Sequence, residues 1–277
     1  MSCSPSPGAV QLRFVALDSV EEFERLLPLL SDDERARATR IPEERIRRRF
    51  VVGRAALRRL LGERLETPPA ELRFDYNERG KPDLKSSDVN FNLSHSGDLA
   101  LIAMSGGGPV GVDLERLRPR PRLDLLARRV LTVGERELLE QARAEGAAAR
   151  WFLRCWTAKE AVAKAFGFGL ALAPNRIDVV PFDPWRAVAE IAPAAGKPLP
   201  AGAPPVQVRW LPGFRDATAA VATDEDTSRG CEWRWYSLEP QGPRLLPHRE
   251  SGPGGAAARP RGAAPRRHPR IGRGHGL

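Results

Sequence analysis

Two periodicities take turns along this chain. "QLRFVAL" near the start is patterned as a strand, and "DVNFNLSHS", "LALIAMS" and "VGVDLERL" repeat extended patterning between residues 88 and 117. The glycine turn "GGGP" between the last two predicts that they pair as a hairpin. Helical patterning fills the gap before them. "SVEEFERLLPLL" and "SDDERARATR" each open on Ser with Glu three residues later, the capping-box signature of a helix start. "EERIRRRFVVGRAALRRLLGERL" places Ile46, Phe50, Leu57 and Leu61 near helical spacing and fills much of the rest with Arg. "PPAELRFDYNERGKPDL" predicts a loop, a strand and a turn.

A similar order then recurs. "RPRPR" at 118–122 predicts a linker, and "TVGERELLEQARA" a helix opened by the Thr-x-x-Glu box at Thr132. "RWFLRCWTAKEAVAKAFG" predicts a long helix stopped by Gly167 and Gly169. "RIDVV", "VQVRWL", "ATAAVAT" and "WRWYSL" are strand-like, with a Pro/Ala/Gly loop near 192–205. The pattern predicts an α+β protein of two similar blocks, 1–118 and 119–240, with no detectable sequence repeat between them, followed by a tail at 241–277.

Charge changes this picture at one end only. Residues 241–277 hold eight Arg and one Glu, +7 of the net +9, so the preceding 240 residues carry only +2. Twenty-seven of those 37 tail residues are Pro, Gly, Arg or Ala, a composition that cannot bury enough surface to offset its ordering entropy. The tail is therefore expected to be disordered. The total charge invites a nucleic-acid reading, but the near-neutral body directs attention to sites instead. With 42% hydrophobic residues a sizeable core is available. No apolar run reaches the roughly 18–20 residues of a membrane helix, and no secretion signal is expected at the start. Cys3, Cys155 and Cys231 are odd in number and fit no metal or disulfide spacing. These features predict a cytoplasmic protein.

Chemistry concentrates in a few places. On a strand, Val112 and Leu114 face one way while Asp113 and Glu115 face the other, roughly 7 Å apart at their Cα atoms. Such a pair is either two solvated charges or a partial Mg²⁺ site completed by water and phosphate. Glu160 and Lys164 are four apart on the second long helix, with Lys159 beside them. The chain has 39 Arg and five Lys, so two Lys within six residues stand out, although an ordinary surface ion pair explains the spacing as well. Ser94 and His95 sit together before Gly97, and His95 is the sole histidine before residue 248. The chain has no G-x-S-x-G elbow. The Ser-His pair is either a turn or a set of polar ends for phosphate oxygens. Lys81 follows Gly80, where a backbone can approach a ligand.

In combination, "RGKPDL", "NFNLSHSGDLALIAM", "PVGVDLERL" and "FLRCWTAKEAVAKAFGFGL" resemble the Sfp-type 4′-phosphopantetheinyl transferases, over roughly residues 10–240. The resemblance implies two α+β halves in pseudo-twofold relation with coenzyme A between them. It implies transfer of phosphopantetheine from coenzyme A to a serine of an apo acyl- or peptidyl-carrier protein, with release of 3′,5′-ADP. By matching position, Asp113, Glu115 and Glu160 would hold Mg²⁺. Ser94 and His95 would hold coenzyme A phosphates, with Lys81 and Arg37 or Arg49 near the nucleotide. Lys164 would sit on the pyrophosphate, and Glu160 and Lys164 would be the catalytic pair. The chain departs from the family's pattern at Glu34 and Phe50, where the family often has a cation or hydroxyl. A monomer is expected, with no membrane partner. Two other readings compete: a nucleic-acid-associated protein acting through the tail, and a coenzyme A-binding module without transfer activity. "RPRPRLDLLARRVLTVGERELL" is either an ordinary linker and helix or a docking surface for an acidic carrier helix.

Overall fold

Strands buried on both faces need a layer on each side, and two strands of this protein impose that layering. The structure, a computed structural model, describes residues 10–18, 23–76, 82–84, 87–167, 172–181, 183, 185–191, 206–224 and 231–236. The strands are β1 (Val10–Ala16), β2 (Asp75–Tyr76), β3 (Pro82–Asp83), β4 (Asn90–Ser96), β5 (Leu99–Ser105), β6 (Val110–Arg116), β7 (Ile177–Pro181), β8 (Arg186–Ile191), β9 (Val206–Trp210), β10 (Ala217–Thr223) and β11 (Cys231–Tyr236). The helices are α1 (Phe23–Leu26), α2 (Asp32–Thr39), α3 (Glu44–Leu65), α4 (Leu123–Val130), α5 (Val133–Ala144) and α6 (Ala148–Ala165). One sheet has the order β11-β1-β5-β4 and a second the order β6-β10-β9-β8-β7, while β2 and β3 pair separately.

On β5, Ala100, Ile102 and Met104 join the core beneath α3, and Leu101 and Ala103 enter a different core on the opposite face. β10 does the same: Ala220 and Ala222 pack with α6, while Ala217, Ala219 and Val221 face the other way. The faces turned away from the helices meet, so Leu12, Phe14 and Leu101 of one sheet pack with Val112, Leu114 and Val221 of the other. The layers run helix, sheet, sheet, helix. β1-β5-β4 corresponds to β6-β10-β9, and α3 to α6. The fold is α+β in two similar halves, as the sequence and the resemblance imply.

Two pairings differ from the sequence reading. β11, which covers most of the strand expected in the second block, instead pairs in parallel with β1 of the first sheet. β5 and β6 do not form a hairpin, because β1 and β4 already occupy both edges of β5. The hairpin is β4–β5, turned at Gly97 with φ +64°, a region that favours glycine. β6 crosses to the second sheet and pairs with β10. β8 was not foreseen, because alanine fills its inward positions Ala187 and Ala189 and gives a weak apolar signal. α4 was also not foreseen. It begins at the end of the expected linker. Ile46 lies 50% exposed rather than in the core, while Leu57 and Leu61 are buried as expected.

The two halves share a device that the sequence reading did not detect. Ser31 opens α2 with a capping box whose Glu34 is buried and pairs with Arg58 of α3 at 2.5 Å. Arg58 also donates to the Pro69 and Leu72 carbonyls, at 2.7 and 3.1 Å. Thr132 opens α5 with a capping box whose Glu135 is buried and pairs with Lys159 of α6 at 2.6 Å. Lys159 donates to the carbonyls of Val130, Pro174 and Ile177, at 2.9, 3.1 and 2.6 Å. In both halves the cation follows its glutamate by 24 residues. The repeat lies in three widely spaced positions, which no local comparison picks up. The box expected at Ser19, the stop at Gly169 and the tail at 241–277 lie outside the described residues.

Candidate active site

Because strand side chains alternate, the Ser-His pair of β4 divides between two faces. His95 lies opposite Ala100, on the α3 side, and Ser94 opposite Leu101, on the side toward the second sheet. His95 lines a cavity of about 750 Å³ with Arg37, Arg49, Arg54, Phe50 and Lys164. Burial lowers the His95 imidazole below its ordinary value, and the nearby Lys164 and Arg49 cations push the same way. The Asp113 and Glu115 carboxylates oppose this shift.

Ser94 instead turns into the seam between β4 and β6. Its hydroxyl donates to Asp113 Oδ1 at 2.8 Å. Lys164 Nζ reaches the same oxygen at 2.6 Å and Ser94 Oγ at 3.2 Å. Asp113 is only 5% exposed, so the open strand face that an Asp-x-Glu pair can occupy is not what this one occupies. Among the described residues its Oδ2 is buried without a hydrogen-bond partner. Glu115, two residues on, accepts from Ser96 Oγ at 3.2 Å and faces Arg120 at 3.6 Å. Val112 and Leu114 point to the inter-sheet core, the alternation expected.

β6 carries these carboxylates against α6 at very close range. A Cβ at Gly111 would run into the backbone of Ala161 and Ala165. The approach sets Lys164 against Asp113. Burial raises the Glu160 carboxyl above its ordinary range, and the neighbouring Asp113 and Glu115 add to the rise against the opposing Lys164. Glu160 thus belongs to the same electrostatic group. Among the described residues, no three His, Cys, Asp or Glu side chains are gathered as a ready metal-ion site. Lys159, beside Glu160, is 1% exposed and committed to Glu135, so its charge serves the fold.

The remaining expected residues spread around the cavity. Arg37 lies over the Phe50 ring at 5.3 Å, which gives that aromatic a function where a polar group was the alternative. Glu34 is taken up by Arg58 and is buried away from the cavity wall. Arg49 lines the cavity while pairing with Asp18 at 2.7 and 2.8 Å, and this pair with Arg45 holds the Asp18 carboxyl well below the carboxylate range. Lys81 lies outside the described residues. Three residues escaped the sequence reading. Arg54, on the cavity wall, faces the Phe74 and Tyr76 rings at 5.6 and 5.9 Å, and Asn92 lies on the wall as well. Ser96 was legible as the second serine of a period-two pair.

Two family matches divide the chain as the fold does. Residues 18–106 match the family described as 4′-phosphopantetheinyl transferase, N-terminal, and residues 109–197 the 4′-phosphopantetheinyl transferase superfamily. The chain is 42% identical over 183 residues to the 4′-phosphopantetheinyl transferase HetI of Nostoc sp., covering 64% of this chain and 77% of that protein. It is 40% identical over 119 residues to AcpT of Salmonella typhi, covering 43% and 58%. It is 28% identical over 162 residues to Sfp of Bacillus subtilis, covering 58% and 70%. With both halves matched and a relative aligned over three quarters of its length, this chain belongs to the 4′-phosphopantetheinyl transferase family.

Proposed function

We propose that this protein transfers the 4′-phosphopantetheine group of coenzyme A to a serine hydroxyl of an apo acyl- or peptidyl-carrier protein, in the cytoplasm, and releases 3′,5′-ADP. The observation that carries the reading is Lys164. It lines the cavity and also joins Ser94 and Asp113, so one cation links a nucleotide-sized space to a carboxylate group. The cavity supplies Arg37, Arg49 and His95, a wall suited to an anionic nucleotide.

Asp113, Glu115 and Glu160 are the carboxylates that would hold Mg²⁺, which neutralises charge on phosphate oxygens when bound. The fit rests on the donors themselves. All three are hard oxygen ligands, and the buried Asp113 Oδ2 has no partner of its own among the described residues. In the reaction the serine oxygen forms a bond to the phosphorus that carries pantetheine. The bond from that phosphorus to the bridging oxygen breaks, and 3′,5′-ADP leaves with the electron pair. Lys164 stabilises the charge growing on the leaving phosphate. Glu160, whose carboxyl is raised above its ordinary range by burial and so made a stronger base, takes the serine proton directly or through water. The attacking hydroxyl belongs to the carrier, so the chain needs no nucleophile of its own.

The test is incubation with coenzyme A, Mg²⁺ and an apo carrier, read by mass spectrometry of the carrier. The expected result is a gain of one phosphopantetheine. Asp113→Ala should abolish nearly all of it. Coenzyme A that binds tightly yet never modifies a panel of apo acyl- and peptidyl-carriers would make the protein a binding module. Near wild-type transfer by Asp113→Ala at limiting Mg²⁺ would overturn the metal assignment.

A further inference from the structure

Two sheet edges meet at the site, β4 of the first sheet and β6 of the second, and no backbone ladder joins them. Edge strands leave a row of unpaired backbone groups. Here side chains of β4 cover those of β6 at every second residue. Asn92 Oδ1 accepts from the Val112 N–H at 2.9 Å, Ser94 Oγ from the Leu114 N–H at 3.3 Å, and Ser96 Oγ from the Arg116 N–H at 3.0 Å. Each serine then gives its single proton to the carboxylate one residue earlier on β6, Ser94 to Asp113 Oδ1 and Ser96 to Glu115 Oε2. Ser-x-Ser faces Asp-x-Glu in matched register.

We infer that Ser96 is a positioning residue for the carboxylate pair, acting on Glu115 as Ser94 acts on Asp113. The serine's accepted bond fixes the β6 backbone, and its donated bond fixes one oxygen of the carboxylate. The other oxygen is thereby left for the cation that the carboxylates would hold. Asp113 shows the result, with Oδ1 held by Ser94 and Lys164 and Oδ2 buried without a partner among the described residues. Ser96 performs the same act for Glu115. Because Ser96 lies off the cavity wall, it acts through Glu115 and not on the nucleotide. The inference rests on the metal reading given above for Asp113, Glu115 and Glu160.

The experiment compares wild type, Ser96→Ala and Ser96→Thr, with Mn²⁺ as a paramagnetic stand-in for Mg²⁺. Bound Mn²⁺ is counted by electron paramagnetic resonance, the Arg116 amide is followed by hydrogen exchange, and transfer kinetics are measured on the same samples. Residues that orient metal ligands typically change affinity or activity about 10- to 100-fold. Ser96→Ala should weaken Mn²⁺ binding roughly 10-fold and lower kcat with the KM for coenzyme A unchanged. Exchange at Arg116 should accelerate, and Ser96→Thr, which keeps the hydroxyl, should restore Mn²⁺ affinity and Arg116 protection. Wild-type Mn²⁺ affinity in Ser96→Ala overturns the inference and leaves the metal reading standing. Wild-type protein that binds no Mn²⁺ overturns the metal reading and the inference with it.

Discussion

In the proposed reaction, Glu160 is the residue on which binding and chemistry are hardest to separate. Its carboxyl is raised by burial, with Asp113 and Glu115 acting the same way, so it suits either a cation or a proton. Glu160→Gln keeps the shape and removes both the charge and the basicity. Transfer should fall about 100-fold or more, the scale of a lost general base, while coenzyme A binding persists through His95 and the cavity arginines. Single-turnover transfer and equilibrium coenzyme A binding on one sample distinguish the cases. An unchanged rate removes Glu160 from the chemistry, and a joint collapse makes it a binding residue. The sequence disclosed Asp113 and Glu115 because strand alternation puts both on one face whatever the strand packs against. It could not disclose what Ser94 touches. That depends on which strand lies beside β4, a question of topology decided by residues far along the chain. Lys159 and Lys164 show the same limit. Both are rare lysines on one helix, and only the packing of α5 turns the first into a structural cation.

At the scale of elements, β6 and α6 are the pair that bring the site together. Gly111 is the point of closest approach, and it has to be glycine because a Cβ would strike the α6 backbone rather than a movable side chain. Gly111→Ala must push α6 outward, and Glu160 and Lys164 ride on α6. The expected cost is about 1–3 kcal/mol of stability, the range for overpacking. Transfer should fall at least 10-fold even at temperatures where the variant is fully folded, since ångström shifts of catalytic groups have effects of this order. Calorimetry and transfer rates measured together check it, and a variant that is destabilised yet fully active would sink the claim. The helices around this contact were legible in outline. Capping boxes at Ser31 and Thr132 gave α2 and α5 their starts, and α3 and α6 announced themselves by length. The strand partners were less legible. "GGGP" is a local hairpin signal, and it was overruled because both edges of β5 are filled by strands remote from that turn.

At the scale of the molecule, the two halves are held by the same buried ion pair, Glu34 with Arg58 and Glu135 with Lys159. Each glutamate also caps a helix, so each pair ties a helix start to the long helix of its half. Removing one member strands the other in the interior. Lys159→Met should therefore destabilise the protein by about 3–5 kcal/mol, and the double variant Glu135→Gln/Lys159→Met should recover part of that loss. Denaturant titrations check both. A loss below about 1 kcal/mol in the single variant would show that Glu135 finds water or another donor.

The parallel pairing of β1 with β11 has a consequence in time. The first strand described neighbours the last one described, and more than two hundred residues of synthesis separate them. At roughly 5–20 residues per second, β1 waits ten seconds or more for that neighbour. Throughout that interval one side of the N-terminal sheet is a bare template for the wrong chain. Newly made copies crowded on one messenger are therefore at greater risk than finished ones. Slower translation lengthens the exposure, and a chaperone that shields β1 shortens it.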